Sequence, residues 1–182
     1  MLASRTAELF RRVDAAESRF CRSLNRGCDK PVVGAVFRVV SRLGDGIFWY
    51  LLMLVLPIVY GQAGLFASAQ MAVVAVVGVV VYKQLKHRLV RERPYITQLG
   101  VFAGVPPLDR YSFPSGHTMH AVAFTLLTVS HFPVLAWLLV PFAALVAASR
   151  VVLGLHYPTD VLAGGLLGAA LAMSGLSLLS FA

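Results

Sequence analysis

The stretch SRVVLGLHYPTD, residues 149–160, sets an arginine, a histidine and an aspartate between two segments, 111–149 and 161–182, that differ sharply from it: apart from the shared ends they carry no Asp, Glu, Lys or Arg. Ionisable groups embedded in so apolar a chain are costly, and at membrane depth they mark function by default. Pro158 suits the first turn of a helix, where its missing N–H is no loss. Asp160 then falls within reach of one ring nitrogen of His156, which fixes the tautomer and leaves the other nitrogen free as a nucleophile. The competing reading is a structural ion pair between Arg150 and Asp160.

Two further stretches carry chemistry. In YSFPSGHTMH, residues 111–120, Pro114 and Ser115 read as a helix entry with Ser115 at the N-cap. Gly116 admits a close neighbour, and the free N–H groups of such a helix start bind phosphate. His117 follows in the first turn. The competing reading is an ordinary capped helix with a satisfied histidine, and His120, one turn on, reads as a packing residue or as a support for the residues that touch the phosphate. In KHRLVRERPY, residues 86–95, Lys86 and Arg93 gather positive charge that repels itself unless solvent or an anion relieves it; a basic loop beside a membrane is the alternative. Taken together, Lys86, Arg93, Ser115, Gly116, His117, Arg150, His156 and Asp160 suit a tetrahedral oxyanion whose charge must be held during transfer. The carboxylates near these residues in sequence are Glu92, Asp109 and Asp160, which do not form a magnesium cluster, so no metal and no cofactor are expected.

The elements that must position these residues are membrane helices. The chain has 182 residues, 58% hydrophobic and 13% charged, against about 25% charged for ordinary soluble domains. A membrane-crossing helix needs about 20 largely apolar residues. The charge-free runs 46–82 and 111–149 therefore fold back, at Gly61-Gln62-Ala63-Gly64 and at His131-Phe132-Pro133. The expected fold is an all-α polytopic bundle with five spans, near 45–61, 65–83, 115–131, 134–152 and 160–181. This count brings loops 84–114 and 150–159 to one pole. Gly164, Gly165, Gly168 and Ala169 give the last span a small face for close packing.

Residues 4–26 read as an amphipathic helix, with Leu9, Val13, Ala16, Phe20 and Leu24 at helical spacing. It would lie in the headgroup plane or pack on the protein's own pole. Residues 1–44 are taken as this N-terminal segment and 45–182 as the membrane domain. No cleavable leader is visible, since Arg5, Glu8, Arg11 and Arg12 fall where an apolar core belongs. Cys21 and Cys28 read as free thiols. The net charge of +8 points to anionic headgroups and not to nucleic acid, because most Lys and Arg flank spans. A homo-oligomer stays open.

At this point the motifs carry a resemblance. Lys86 to Pro94 fits K-x6-RP, Pro114 to His117 reads PSGH, and Ser149 to Asp160 fits SR-x5-H-x3-D. In this order and spacing they resemble the type 2 phosphatidic acid phosphatase superfamily, which includes bacterial phosphatidylglycerophosphate and undecaprenyl diphosphate phosphatases. The resemblance implies a metal-independent lipid phosphatase. His156 would attack phosphorus and form a phosphohistidine, with Asp160 supporting it. His117 would protonate the leaving oxygen and then activate water. Lys86, Arg93, Arg150, Ser115 and Gly116 would cradle the phosphoryl oxygens. Phosphatidate, phosphatidylglycerophosphate and polyprenyl diphosphate all fit as substrates. A phosphotransferase using the same intermediate is the alternative, and a non-enzymatic membrane binder or transporter a further one; the soluble haloperoxidases of that superfamily do not fit so apolar a chain. The expected location is the bacterial inner membrane. Lys and Arg crowd the catalytic side, which favours the cytoplasmic face, with the periplasmic face of many bacterial relatives as the alternative.

Overall fold

The computed structural model describes residues 15–179. Among them every regular element is helical. Helix α1 spans residues 15–25 and leads through a short turn to α2, Pro31–Arg42. A kink at Gly46, with φ of 140°, separates α2 from α3, Phe48–Arg88. A single turn, α4, covers Pro94–Thr97. Then come α5 (Gly116–His131), α6 (Ala136–Val152) and α7 (Pro158–Leu179).

Helix α3 is a hairpin. Gly61 takes φ 58° and ψ −131°, a conformation that side-chain-bearing residues avoid. Ser68 Oγ donates to the carbonyl of Met53 at 2.8 Å, whereas a straight helix would separate those residues by about 22 Å. A Cβ on Gly64 would lie 2.0 Å from the Leu56 carbonyl oxygen, so the two arms touch backbone to backbone just past the turn. The reversal anticipated at 61–64 is therefore present. The second arm runs on to Arg88, which places Lys86 on the last turn of a helix instead of in the expected loop.

Helix α5 lies at the centre. Trp49 of the first α3 arm packs edge-on against Phe124, while Thr128 donates to Met71 of the second arm at 3.5 Å. Met119, Leu127, Leu139 and Val146 are fully buried around it. The expected small face of α7 narrows to two positions against α5. A Cβ on Gly164 would sit 2.4 Å from the Ser115 carbonyl oxygen, and one on Gly168 would sit 2.2 Å from that of Met119. Gly165 meets nothing nearer than 3.9 Å and is not needed for the approach.

Three helical stretches are long and apolar enough to cross a membrane: Pro31–Arg88, which contains the hairpin, Pro133–Val152 and Pro158–Ser177. At most about a third of each is buried against protein. Large apolar side chains such as Ile58, Trp137, Leu166 and Met173 face outward. Exposed apolar surface on this scale belongs in lipid, and the protein is an integral membrane protein.

Helix α1 departs from the expected stripe. Leu9 and Val13 lie outside the described residues, Ala16 and Phe20 are exposed, and Leu24 is half-buried. The buried face is a polar one at the same helical spacing: Glu17, Ser18, Cys21 and Asn25. Asn25 Nδ2 donates to the carbonyls of Phe102 and Val152, both at 2.9 Å, and its Oδ1 accepts from the Phe102 N–H at 2.9 Å. One amide thus ties α1 to the end of α6 and to the loop after α4. Both cysteines are free thiols. Burial, with Glu17 and Asp160 nearby, pushes Cys21 up to about 12, so it stays a protonated, unreactive thiol.

The α5–α7 contact is the fold's least forgiving one. Gly168→Ala is expected to cost about 2 kcal/mol or more, because the new methyl meets a backbone carbonyl that no rotamer change can move. Gly165→Ala, with open space at its Cβ, should be neutral or slightly stabilising. Thermal unfolding in detergent, read by tryptophan fluorescence, compares the two.

Candidate active site

The candidate site is assembled from segments far apart in the sequence. The N-terminus of α5 is capped by Ser115, whose Oγ accepts from the Thr118 N–H at 3.5 Å. The Ser115 N–H donates to the Asp160 carbonyl at 3.0 Å, so the start of α5 is fastened to the start of α7. Gly116 lies against the Tyr82 ring. His117 bonds through Nε2 to Asp45, which stands in the kink before α3. His120 bonds through Nδ1 to the Gly116 carbonyl at 3.0 Å, packs near Phe124 and lines the same cavity as His117.

His156 sits in the tight link between α6 and α7. Its N–H and that of Leu155 both donate to the Arg150 carbonyl, at 3.0 and 3.1 Å. Gly154 makes the turn possible, with φ of 71° and the Phe102 carbonyl only 2.7 Å from where a Cβ would stand. His156 Nε2 is 3.2 Å from Arg93 Nη1. A guanidinium only donates, so Nε2 accepts from Arg93 and carries no proton; the proton belongs on Nδ1. Burial, then the charges of Arg150, Arg93 and Lys86, hold this imidazole well below the usual histidine range.

The expected hydrogen bond from His156 to Asp160 is not made. Nδ1 is 3.7 Å from Asp160 Oδ2 and has no hydrogen-bond partner. The carboxylate is engaged elsewhere: Oδ2 accepts from the Tyr157 N–H at 2.8 Å and Oδ1 from Arg91 Nη1 at 2.6 Å. The competing Arg150–Asp160 pair is not made either. Arg150 Nη1 donates to Ser41 Oγ at 2.5 Å, and its buried Nε has no partner.

Arg91 is the residue that sequence reasoning missed. It bridges Asp160 and, through Nη2 at 2.8 Å, the buried Glu17 of α1. Glu17 Oε1 in turn accepts from the Thr159 N–H at 2.7 Å. Two carboxylates also join the pole that its sequence neighbourhood did not announce, Asp45 and Glu17. Only Arg91's place within KHRLVRERPY could have signalled it; Glu17 lies 74 residues away and offered no signal at all.

The remaining cations meet around Asp109. Lys86 Nζ donates to both its oxygens at 2.6 Å and to the Tyr111 carbonyl at 3.0 Å. Arg93 Nη2 donates to Oδ1 at 2.7 Å. Burial alone would raise the Asp109 carboxyl; its bonds to Lys86 and Arg93 outweigh that and hold it below the usual carboxylate range. A cavity of about 740 Å³ opens beside this group. Six of the expected site residues line it, namely Lys86, Arg93, Gly116, His117, Arg150 and His156, together with Asp45 and Asp109. Ser115 and Asp160 stand behind the wall, fully buried. Among the described residues, no three His, Cys, Asp or Glu side chains gather as a metal site.

The PAP2 superfamily model matches residues 63–180, which include every motif position. The chain belongs to the PAP2 superfamily. This PAP2 chain is 44% identical over 81 residues to decaprenylphosphoryl-5-phosphoribose phosphatase of Mycolicibacterium smegmatis, covering 44% of this chain and 42% of that protein. It is 38% identical over 96 residues to undecaprenyl-diphosphatase of Sulfolobus acidocaldarius, covering 51% and 46%. The matches thus span less than half the length of these two relatives. The crystal structure of a PAP2-type phosphatidylglycerolphosphate phosphatase from Bacillus subtilis aligns with a TM-score of 0.74 at 26% identity, over 91% of this chain and 85% of that one.

In this PAP2 chain, Arg91 touches the Asp160 carboxylate behind His156 and does not line the cavity. Arg91→Gln is expected to lower kcat by roughly ten- to a hundredfold, the scale of a lost charge-assisted hydrogen bond to a buried group, with KM little changed. Glu17→Gln should act in the same direction and more weakly. Steady-state kinetics on purified protein separate the two parameters.

Proposed function

We propose that this protein is a metal-independent lipid phosphatase, working through a phosphohistidine on His156. The observation that carries the reading is the unprotonated Nε2 of His156, held by Arg93 in the wall of a cavity that Lys86, Arg150 and His117 also line. Nε2 attacks phosphorus in line with the leaving group. The lipid oxygen departs with a proton from His117, and the phosphoryl group stays on His156. His117 then takes a proton from water, whose oxygen attacks phosphorus and releases orthophosphate. Asp45, bonded to His117, steadies the ring between its two roles. Asp160, anchored by Arg91 and the Tyr157 N–H, offers negative charge to His156 as it becomes cationic. Lys86, Arg93, Arg150 and the Gly116 N–H hold the phosphoryl oxygens, and the cations take the place that magnesium occupies in other phosphoryl-transfer sites.

The named relatives share one chemical element, a phosphoryl group at the polar end of a lipid, and that class is the proposed substrate. Phosphatidate, phosphatidylglycerophosphate and polyprenyl diphosphate all belong to it. His156→Ala should abolish phosphate release and His117→Ala should be comparably severe, while Asp160→Asn should lose a large factor with the fold intact. Release should persist in excess EDTA, and vanadate should inhibit as a mimic of five-coordinate phosphorus. Phosphate release from a panel of these lipids is the measurement. Near wild-type turnover by folded His156→Ala, or strict magnesium dependence, would overturn the mechanism.

Five membrane crossings complete the proposal: the two arms of α3, then α5, α6 and α7. Residues 1–44 form an N-terminal segment whose exposed Phe20 rests in the headgroup layer while its polar face holds the catalytic pole. All 16 Lys and Arg lie in residues 1–45, in 83–110 or at Arg150, and setting aside Lys86, Arg93 and Arg150 leaves that asymmetry intact. The positive-inside rule then puts the site at the cytoplasmic face of the inner membrane, favouring a lipid phosphate made on the inner leaflet. Leu99→Cys, at a residue 93% exposed, in a background lacking Cys21 and Cys28, reports the side. It should resist a membrane-impermeant thiol reagent in intact cells and react once they are opened; labelling of intact cells would reverse the assignment.

A further inference from the structure

One arm of the phosphate cradle is already occupied. All three donors of Lys86 are taken, two by the Asp109 carboxylate and one by the Tyr111 carbonyl. Arg93 gives Nη2 to the same carboxylate, Nε to the Asp109 carbonyl at 3.0 Å, and Nη1 to the Leu155 carbonyl at 2.9 Å and to His156 Nε2. A phosphoryl group cannot take the Lys86 and Arg93 donors that the Asp109 carboxylate holds until that carboxylate leaves. Among the cradle cations, Arg150 keeps a buried donor without a partner, its Nε.

We propose that Asp109 is a specificity-determining residue: its carboxylate is a built-in counter-anion that a terminal phosphoryl group displaces and a phosphodiester does not. The inference rests on the phosphatase reading of the site. A phosphodiester, the headgroup linkage of ordinary bilayer lipids, offers one negative charge and two free oxygens. That only equals the carboxylate, which has the added advantage of being tethered at high effective concentration. A phosphomonoester carries about 1.5 to 2 negative charges near neutral pH and three free oxygens, enough to replace Asp109 on Lys86 and Arg93 and to satisfy Arg150 Nε as well.

The segment bearing Asp109 is built to yield. It contains Pro106 and Pro107 and has no helix of its own. It is fastened by Asn25 to Phe102, by the Gly104 N–H to the Leu153 carbonyl at 3.0 Å and by the Ser112 N–H to the Arg91 carbonyl at 2.8 Å. Between Gly104 and Ser112, Leu108 and Arg110 are exposed and the ties are those of Asp109 and Tyr111 to Lys86 and Arg93, so a shift of the Asp109 side chain breaks few packing contacts.

The test compares wild type with Asp109→Asn and Asp109→Ala in detergent micelles, with phosphatidate as substrate and phosphatidylglycerol as a phosphodiester competitor. Wild type should be inhibited poorly even by excess competitor. In both variants the competitor's inhibition constant should fall on the order of tenfold, the scale of a lost charge-assisted contact, and KM for phosphatidate should fall by less. Asp109→Glu, which keeps the charge, should restore most of the discrimination. Wild type inhibited by phosphatidylglycerol as strongly as it binds phosphatidate would overturn the proposal without any variant, and so would variants that discriminate as wild type does. A second arm needs no turnover: calorimetric titration with orthovanadate and with dimethyl phosphate, where removal of the carboxylate should tighten dimethyl phosphate most. Absence of phosphate release by wild type would sink the phosphatase reading, whereas unchanged dimethyl phosphate binding sinks the role of Asp109 alone.

Discussion

Everything at the catalytic pole turns on the repulsion among Lys86, Arg93 and Arg150, three cations drawn out of water around one small volume. Like charges so placed push apart, and the structure answers with two carboxylates on opposite sides of the cavity. Asp109 neutralises Lys86 and Arg93. Asp45 faces His117 and adds negative charge near Arg150. Burial first, and then the same positive field, hold the imidazole of His156 well below the usual histidine range. In the proposed mechanism, the field that holds the phosphoryl group also keeps the attacking nitrogen unprotonated.

A second carboxylate system lies behind the first and is insulated from the cavity. Glu17, Arg91 and Asp160 form a chain that runs from α1 to the start of α7. It explains why the N-terminal helix buries a polar face instead of an apolar one. It satisfies the buried carboxylates of Glu17 and Asp160, and an apolar stripe there would have left Arg91 and Thr159 short of partners.

The motifs were legible because their chemistry is local. Ser115 follows a proline and caps its helix, and His156 and Asp160 lie one helical turn apart. The helical hairpin was legible too, from glycines set in a run too long for one crossing. What stayed hidden was long-range pairing between charges. Arg91 looked like one more basic residue in a basic loop. Asp45 looked like the polar edge of a span, and Glu17 like a solvated residue on an amphipathic helix. Each acquires its role from a partner 69 to 74 residues away, and no periodicity or spacing encodes such a partner. The bond assumed between His156 and Asp160 is lost to two competitors, the neighbouring Tyr157 N–H on Oδ2 and Arg91, from a distant segment, on Oδ1.

The seam between α5 and α7 has a consequence for how this protein could adapt to heat or cold. His117 and the His156–Asp160 pair lie on either side of it. At Gly164 and Gly168 the seam is made of backbone against backbone. Such a joint has no rotamers and little slack, so the distance between His117 and His156 is gauged by the main chain itself. Side-chain substitution there has almost no room to loosen or tighten it. Thermal tuning is left to the lipid-facing surfaces and to the loops at the rim, where residues can change without altering that gauge.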